Sequence, residues 1–539
     1  MVRTRRGKSV RTPTRGESMR RVSVALMSTR LTYTSGAFDS DTDREFEQQL
    51  TAVRAATPEP LPHLVGGEEL AEGEPFERMD PATDDAVASR AREADPEVVA
   101  RAVEAARSAA PAWRATPFNE RCELLRAAAT GIEDRHLELA AVVSLETGKT
   151  RTESILEVQE AVDLITAYAD HMDRNEGYTK PLDSFVENER NTDVLRPYGV
   201  FAVIAPFNFP AALSIGMASA ALIAGNTVVF KPSEDTPWTG AILGQILRGA
   251  GLAPGVFNLV HGGPDTGRAL VEGPVDGVAF TGSAEVGRQI VRTMQDGPYA
   301  RPALTEMGGK NPAIVTAQAD LAKAAEGVAR AAFGLSGQKC SACSRAIVED
   351  SVHDEFVELL ARFTAELKSG EPGDAEAFVG PVINERSVAR FEEAAAQARR
   401  DGRIAAGGGR PDRPGHFVEP TVVSNLPRGH SLERDELFLP FVTVTRVGSL
   451  DEALEEANAP VYGLTAGIYT EDEGEQERFL DEIEAGVVYV NRRTGATTGA
   501  WPGTQSFCGW KSSGSTGKGG LGPWYLPQFM REQSRTIVG

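Results

Sequence analysis

The spacing of hydrophobic positions changes near Gly199, which separates a helical part of the chain from a strand-rich part. Before this point, apolar residues recur at helical spacing after Asp95 and Pro96, which are typical N-cap and first-turn residues. Two more amphipathic segments follow at about 124–129 and 137–145. We therefore expect three consecutive helices in this part of the chain.

Short apolar runs follow Gly199 and alternate with helical segments. Runs of this kind predict parallel strands, because a strand that is buried on both faces is apolar along its whole length. The first series has strands at 200–205, 227–230, 256–260 and 275–280, with helices at 215–223 and 238–247 between them. The second series runs from a strand at 312–315 through a helix at 321–333 and a strand at 346–348 to 486–490. The expected fold class is α/β, with two doubly wound domains.

Composition and charge favour a globular enzyme over a nucleic-acid or membrane protein. The 539 residues are too many for one core, and the contents of 41% hydrophobic and 25% charged residues are those of folded domains. A net charge of -21 opposes binding to nucleic acid and to anionic membranes. The first 21 residues differ, with eight basic residues against one acidic residue, Glu17. We expect a disordered tail there, or a true start at Met19 or Met27, rather than an amphipathic transit peptide.

The four cysteines are too few for a disulfide scaffold in a chain of this length, and no export signal is visible. We therefore expect free thiols and a cytoplasmic location. Apolar runs such as 220–224 are far shorter than the roughly 20 residues that cross a bilayer, so we expect no membrane segment.

Cys340 is the candidate nucleophile, because small and polar residues surround it directly after an apolar helical segment. The alternative for any single cysteine is a buried side chain that packs as a small hydrophobe, and Cys122 fits that description. Cys340 and Cys343 also form a C-x-x-C, which a redox pair or a zinc site could use. The zinc ligands are incomplete, and a helix precedes the pair where a thioredoxin-type site has a strand, so we expect no metal.

Further polar side chains stand where parallel strands are expected to end. Glu306 could serve as a general base, Asn208 as an oxyanion donor, and Lys231 lies at the edge where open α/β sheets bind ligands. Taken singly, each could be ordinary surface charge or a loop cap. The literal G-x-G-x-x-G at 517–522 has no strand before it and no helix after it, and we interpret it as a loop.

The order of these motifs resembles the aldehyde dehydrogenase superfamily from about Met79 to Thr536. The resemblance implies that the Cys340 thiolate attacks an aldehyde and that the Asn208 side chain and the Cys340 N–H stabilise the oxyanion. It also implies that Glu306 activates the water that hydrolyses the resulting thioester. The motifs in their shared order are Asn208, Lys231, Phe-Thr-Gly-Ser at 280–283, Glu306, Cys340, Glu-Leu-Phe-Leu-Pro at 436–440 and Asn491.

The resemblance further implies a dinucleotide cofactor. NAD is expected, with NADP possible, because a carboxylate at Glu234 would accept from a ribose hydroxyl and repel a 2'-phosphate. The implied cofactor-binding residues are Pro206, Phe207, Lys231, Ser233, Glu234, Gly263, Gly267, Phe280, Thr281, Gly282, Ser283, Gly287, Glu436 and Phe438.

The segments 339–345, 491–496 and 513–526 resemble one branch of the superfamily, the 1-pyrroline-5-carboxylate dehydrogenases, which oxidise L-glutamate gamma-semialdehyde to L-glutamate. Ser341 would bind the substrate's α-carboxylate. Leu521 departs from the glycine usual in that branch, and Cys508 interrupts a usual Phe-Gly-Gly. An aldehyde dehydrogenase of another substrate range and a non-catalytic relative remain the alternatives. The implied substrate-binding residues are Phe209, Lys339, Ser341, Leu521, Gly522 and Phe529.

The expected domain map follows from the patterns and the resemblance together. Residues 1–50 are expected to form the basic tail, 51–305 the NAD-binding domain and 306–490 the catalytic domain. A small β element for oligomerisation is expected near 178–197, and 491–539 should complete it and anchor the substrate. The resemblance thus implies a homo-oligomer that acts on a small-molecule aldehyde.

Overall fold

The computed structural model describes residues 40–56, 59–493 and 500–539. Within these ranges, two seven-stranded sheets form the centres of two α/β units, and a three-stranded sheet lies apart from both. No helix in the described ranges is both long and apolar enough to cross a membrane. The expected α/β class with two wound domains is confirmed.

The helices of the described ranges are numbered in chain order. They are α1 Ser40–Ala55, α2 Pro96–Ala115, α3 Phe118–Asp134, α4 His136–Thr147, α5 Arg151–Arg174, α6 Ala212–Ile223, α7 Pro237–Gly249, α8 Pro264–Glu272, α9 Ala284–Gln295, α10 Leu321–Phe333, α11 Asp350–Glu366, α12 Glu385–Asp401, α13 Ser431–Arg434, α14 Leu450–Asn458 and α15 Glu473–Glu482.

The strands are numbered in the same way. They are β1 His63–Val65, β2 Glu68–Leu70, β3 Pro75–Met79, β4 Val87–Arg92, β5 Thr179–Leu182, β6 Glu189–Pro197, β7 Val200–Ile204, β8 Thr227–Lys231, β9 Phe257–Leu259, β10 Gly277–Gly282, β11 Ala303–Met307, β12 Asn311–Val315, β13 Cys343–Glu349, β14 Arg403–Ala406, β15 Thr421–Ser424, β16 Phe441–Val447, β17 Tyr462–Gly463, β18 Thr465–Tyr469, β19 Val487–Val490, β20 Trp510–Lys511 and β21 Met530–Val538.

The first sheet has the strand order β11-β10-β7-β8-β9-β1-β2. It is parallel from β11 to β9 and antiparallel at its β1 and β2 edge. The chain moves outward from β7 through β8 to β9 and then returns to place β10 on the other side of β7. The carboxyl ends of β7 and β10 therefore form the point at which the strand order reverses, which is where open α/β sheets bind ligands.

The second sheet has the order β14-β15-β16-β13-β12-β18-β19, and only its β14 edge is antiparallel. Helix α10 connects β12 to β13, and it occupies Leu321–Phe333 as predicted. The turn between α10 and β13 carries Cys340. Cys340 therefore lies shortly before β13, which is one of the central strands of this sheet.

The third sheet joins the middle of the chain to its end. Strands β5 and β6 form an antiparallel hairpin at the predicted position, and β21 pairs with β6 from Met530 opposite Pro197 to Val538 opposite Glu189. The side chains of Leu182, Phe185 and Val538 on this arm are exposed.

The predicted start of α2 at Asp95 and the end of α4 near Gly148 are confirmed, whereas α3 is longer than the predicted 124–129 and the long helix α5 was not predicted. Asp95 caps α2, because its Oδ1 accepts hydrogen bonds from the N–H groups of Glu97 and Val98, both at 2.9 Å. Gly148 ends α4 with a φ of 75°, a left-handed conformation that favours glycine.

Two predicted domain boundaries need correction. Residues 40–50 are not part of a disordered tail, because they lie in α1, whose apolar face buries Phe46, Leu50 and Val53. Residues 1–39 lie outside the described ranges. The first domain also extends past 305, because β11 belongs to the first sheet through Met307. Glu306 is therefore on the last strand of the first sheet rather than at the start of the second domain.

Candidate active site

Cys340 lies where two cavities meet. A cavity of about 420 Å³ adjoins it on one side, and a cavity of about 800 Å³ adjoins it on the other. Thr281 and Met307 also line both cavities. A reactant in either cavity can therefore reach the same thiol.

The turn before Cys340 is tightly constrained. Leu335 and Ser336 have φ values of 53° and 52°, which are uncommon for residues that carry a Cβ. A Cβ at Gly337 would lie 2.1 Å from the carbonyl oxygen of Leu439, so only glycine fits there. The Asn311 amide then donates to the Cys340 carbonyl at 2.7 Å. The thiol is thus held on a defined backbone rather than on a loose loop.

The Cys340 thiol is protonated at neutral pH in this environment. Burial, followed by the nearby carboxylates of Glu436 and Glu306, raises its pKa to about 12. A nucleophilic thiolate therefore requires a base or a nearby positive charge.

Glu306 has the properties of a general base. Burial raises its pKa well above the usual value, and the N–H of Gly509 opposes this shift only in part. Its Oε2 has no hydrogen-bond partner among the residues that the structure describes. Glu306 lines the smaller cavity together with Cys340, so this oxygen is placed to exchange a proton beside the thiol.

Asn208 follows β7 at the switch point of the first sheet. Its side chain is buried, and its Nδ2 donates to the backbone carbonyl of Gln338 at 3.0 Å. Asn208 lines the larger cavity with Cys340, whereas its neighbour Phe209 lines the smaller one. The end of β7 therefore contributes to both sides of the reacting thiol.

The larger cavity gathers nearly all of the predicted cofactor residues. The members on its wall are Pro206, Phe207, Lys231, Ser233, Glu234, Gly267, Phe280, Thr281, Gly282, Ser283, Glu436 and Phe438. Gly263 and Gly287 are not on that wall. The N–H of Gly263 donates to Glu93 at 2.9 Å before α8, and a Cβ at Gly287 would lie 2.3 Å from the Met307 sulfur. Gly287 is therefore needed for close packing against Met307, whereas Gly263 takes part through its backbone N–H.

Lys231 and Glu234 lie together on the wall of the larger cavity. The Lys231 ammonium donates to the carbonyls of Pro232 at 2.9 Å and Gly262 at 2.6 Å, and it is 3.8 Å from the Glu234 carboxylate. The Glu234 side chain is 42% exposed, so it is accessible to a ligand. The start of α9, capped by Ser283, faces the same cavity and suits an anionic group.

Glu436 and Phe438 bound the larger cavity near the thiol. Glu436 accepts the N–H of Gly309 at 2.9 Å, and burial raises its pKa to about 7. The Phe438 ring packs edge-on against Phe207 with 5.8 Å between centroids. A flat ring entering the larger cavity here would meet this aromatic pair close to Cys340.

The smaller cavity contains most of the predicted substrate residues. Phe209, Lys339, Ser341 and Leu521 line it. Phe529 does not, because it is fully buried in the core, 5.1 Å from the Phe201 ring and 5.2 Å from the Tyr525 ring.

Gly522 also lies away from the wall of this cavity. A Cβ at Gly522 would lie 2.2 Å from the Ser506 hydroxyl, so its glycine is needed for packing against Ser506. The part of the branch motif at 494–496 lies outside the described residues.

Several residues on the wall of the smaller cavity were not predicted. Leu156, Glu160, Leu164 and Tyr168 recur every four residues along α5 and form one face of that helix. This spacing is visible in the sequence, but it does not show which cavity the face meets. The other unpredicted polar or aromatic lining residues are Lys149, Thr150, Thr152, Glu153, Arg330, Phe378, Phe507 and Tyr525.

The cysteines outside the site are free thiols. Cys343 is buried at the start of β13, and its sulfur donates to the Arg345 carbonyl at 3.4 Å. Over the described ranges, no group of three or more His, Cys, Asp or Glu side chains is arranged to hold a metal ion. Cys340 is the thiol that meets the cavities, and Cys343 packs as a core residue.

Comparison with known proteins agrees with this arrangement. Residues 69–534 match the model of the aldehyde dehydrogenase family. The chain is 35% identical to a 1-pyrroline-5-carboxylate dehydrogenase of Staphylococcus epidermidis, over 90% of this chain and 95% of that protein. It superposes on a Thermus 1-pyrroline-5-carboxylate dehydrogenase solved with bound NAD, with a TM-score of 0.89 and 32% identity over 95% of this chain and 100% of the other. This chain therefore belongs to the aldehyde dehydrogenase family.

Proposed function

We propose that the protein oxidises L-glutamate gamma-semialdehyde to L-glutamate with NAD, in proline degradation. The observation that carries this proposal is the position of Cys340 on a wall common to two cavities. One cavity contains the motif residues that a dinucleotide would need, and the other contains polar groups suited to a small charged aldehyde. The names of the relatives supply the substrate.

The chain's own residues account for the chemistry. The Cys340 thiol loses its proton to Glu306, which passes it to solvent, and the sulfur bonds to the aldehyde carbon. The resulting oxyanion accepts hydrogen bonds from the Asn208 amide and the Cys340 N–H. NAD, when bound, supplies the acceptor for the hydride that leaves the same carbon. Glu306 then takes a proton from water as the water oxygen attacks the thioester, which releases the carboxylic acid and regenerates the thiol.

The larger cavity fits NAD. Lys231 and Glu234 would bind the adenosine ribose, and the start of α9 would face the diphosphate. Glu436 and Phe438 would orient the nicotinamide end. The exposed carboxylate of Glu234 favours NAD over NADP, because it would repel a 2'-phosphate.

The smaller cavity suits a substrate with both charges. Ser341 lies next to the nucleophile and would donate to the substrate's α-carboxylate, near the cationic side chain of Lys339. Carboxylates on the same walls, including Glu160, complement an ammonium group. The remaining wall is largely apolar and would hold the methylene chain between Phe209 and α5.

A matched set of aldehydes tests the substrate. Glutamate semialdehyde carries both charges, 5-oxopentanoate lacks the ammonium group, and pentanal lacks both. Two or three hydrogen bonds to a charged group are together worth at least about a hundredfold in kcat/KM, so we expect that preference over pentanal. Ser341→Ala should reduce the preference without stopping turnover of pentanal. Equal efficiency with pentanal would favour an aldehyde dehydrogenase of another substrate range.

We also propose that the protein forms a homo-oligomer through the sheet of β5, β6 and β21. Apolar side chains that are exposed on this arm support the proposal, among them Phe185, Ile537 and Val538. Size-exclusion chromatography with light scattering of the full chain and of a chain ending at Met530 tests it. The full chain should be oligomeric and the shortened chain should dissociate.

A further inference from the structure

A fully buried ion pair lies behind the turn that carries Asn208. The Lys149 ammonium contacts the Glu157 carboxylate, and neither side chain is exposed to solvent. Lys149 follows the left-handed Gly148 at the end of α4, and Glu157 is on the second turn of α5. Two separate helices therefore meet at this pair.

Glu157 holds the chain on the carboxyl side of Asn208. Its Oε1 accepts hydrogen bonds from the N–H of Ala211 at 2.7 Å and from the N–H of Ala212 at 3.2 Å. These N–H groups belong to the start of α6, where a negative charge is favoured. The two residues between this anchor and Asn208, Phe209 and Pro210, leave the turn little freedom.

Lys149 holds the residue immediately after Asn208. Its ammonium lies 3.7 Å from the centroid of the Phe209 ring, which is within the range of a cation–π contact. The backbone N–H of Lys149 is fixed in turn by the Thr147 hydroxyl at 3.2 Å. The pair thus contacts both Phe209 and the start of α6.

Stability alone does not explain why this pair is charged. Removing two charges from water costs about as much as their attraction returns, so apolar replacements of a buried pair are often neutral or stabilising. A buried pair does fix orientation, because each charge requires its partner. Here the orientation that is fixed is that of the Asn208 turn, whose amide also donates to Gln338.

We propose that Lys149 and Glu157 are positioning residues, which hold the Asn208 side chain where it stabilises the oxyanion formed at Cys340. This inference rests on the proposed function, in which Asn208 is the oxyanion donor. Neither Lys149 nor Glu157 takes part in bond making. Their effect on rate should pass through Asn208.

A double-mutant cycle tests this dependence. Glu157→Gln keeps an oxygen for the Ala211 and Ala212 N–H groups but removes the charge that faces Lys149. The rate of the NADH burst should fall about tenfold or more in the native background, because loss of an oxyanion donor costs about a hundredfold or more. In an Asn208→Ala background the same change should cost less than about twofold. The KM for the aldehyde should change little in either background.

A charge-neutral double variant separates positioning from folding. Lys149→Met with Glu157→Gln leaves no unpaired buried charge, so it should unfold at about the native temperature. Its burst rate, per thiol titrated at Cys340, should remain as low as that of Glu157→Gln alone. Recovery of the native burst rate would show that the pair only balances charge and would overturn the inference. Equal losses in both backgrounds of the cycle would overturn it as well, whereas a native burst rate in Asn208→Ala itself would also overturn the proposed oxyanion role.

Discussion

The phenol oxygen of Tyr168 accepts a hydrogen bond from the backbone N–H of Leu521 at 3.2 Å. Leu521 has a φ of 68°, a conformation that leucine rarely adopts, and both residues line the smaller cavity. The bond satisfies a buried N–H and joins α5 to the loop after Gly519. The Leu521 N–H is therefore already engaged before any substrate enters.

Tyr168→Phe should lower the free energy of unfolding by about 1 to 3 kcal/mol, because it leaves a buried N–H without a partner. The KM for the aldehyde should rise, and the Kd for NAD should not change, since the bond supports only the substrate cavity. Urea denaturation and steady-state kinetics measure these effects. Tyr178→Phe is a matched control, because it removes a phenol oxygen away from the cavity walls. An equal rise in KM in both variants would contradict the prediction.

Cys340→Ala should abolish aldehyde-dependent formation of NADH and leave NAD binding nearly intact, because its sulfur acts on the carbonyl. Cys343→Ala should retain most of the activity, because its sulfur is in the core and bonds to the Arg345 carbonyl. Activity assays together with titration of NAD binding by fluorescence measure both. An active Cys340→Ala and an inactive Cys343→Ala would reverse the assignment of the nucleophile.

Glu436→Gln should increase the reactivity of Cys340 in the enzyme without cofactor. The Glu436 carboxylate contributes to the raised pKa of the Cys340 thiol, and its own pKa is about 7. Above pH 7 the substitution removes a negative charge, so the thiolate fraction rises and iodoacetamide should react about threefold faster or more at pH 8.5.

The difference in alkylation should shrink below pH 6, where Glu436 is largely neutral in the native enzyme. A Cys508→Ala background avoids labelling of the half-buried Cys508, and mass spectrometry identifies the modified residue. Slower alkylation of the variant at pH 8.5 would exclude this electrostatic effect.

Glu234→Ala should increase kcat/KM with NADP relative to NAD, because it removes a negative charge that would face the 2'-phosphate. Glu285→Ala removes an exposed carboxylate from another part of the same cavity wall and should leave the ratio unchanged. Initial rates with each cofactor give the ratio. If the ratio is unchanged in Glu234→Ala, the Glu234 carboxylate of the native enzyme does not contact the ribose of the cofactor.

Acid should destabilise the protein partly through His261. Burial, followed by the charges of His63 and Lys231, lowers the pKa of His261 from 6.5 to about 3. The unfolded chain therefore binds a proton between pH 6.5 and 3 that the folded chain does not, and this stability is lost as the pH falls through that range.

At pH 5 the loss from His261 should be about 2 kcal/mol relative to pH 7. Denaturant unfolding of His261→Gln should show a weaker dependence on pH below 6.5 than the native protein. His430→Gln, at a less buried histidine, provides the comparison. If the free energy of unfolding of His261→Gln depends on pH as steeply as that of the native protein, the prediction is contradicted.

The sequence was most informative where a short local pattern determines both the structure and the chemistry. Lys231 ends one parallel strand and Asn208 follows another, so buried apolar runs were enough to predict that both lie at one edge of a sheet. Glu306 was assigned to the second domain, and only the pairing of β11 with β10 shows that it lies on the first sheet. The position of Cys340 could also be predicted from a local pattern, because this residue lies in the turn that follows α10. The fold class followed from the same alternation of strands and helices.

The sequence was less informative where the position of a residue depends on packing between segments that are distant in the chain. Phe529 and Phe507 both follow the second domain, and only the path of the C-terminal loop places Phe507 at the smaller cavity and Phe529 in the core. Gly263 and Gly287 occur in motifs that border a cavity, yet Gly263 contacts Glu93 through its backbone N–H and the missing side chain of Gly287 makes room for Met307. The link between Lys149 and Glu157 also depends on two helices whose relative placement no local pattern reveals.

The common wall at Cys340 has a consequence for inhibitor chemistry. A warhead that captures this sulfur could be extended in either of two directions, and the two extensions would meet unrelated surfaces, one rich in polar strand ends and one built from a helix face. Extensions into the smaller cavity would contact residues such as Glu160 and Leu521. Such inhibitors would therefore discriminate between enzymes that oxidise different aldehydes. Joining both extensions on one electrophile would combine that selectivity with the tighter binding that a linked pair of ligands gains from effective concentration.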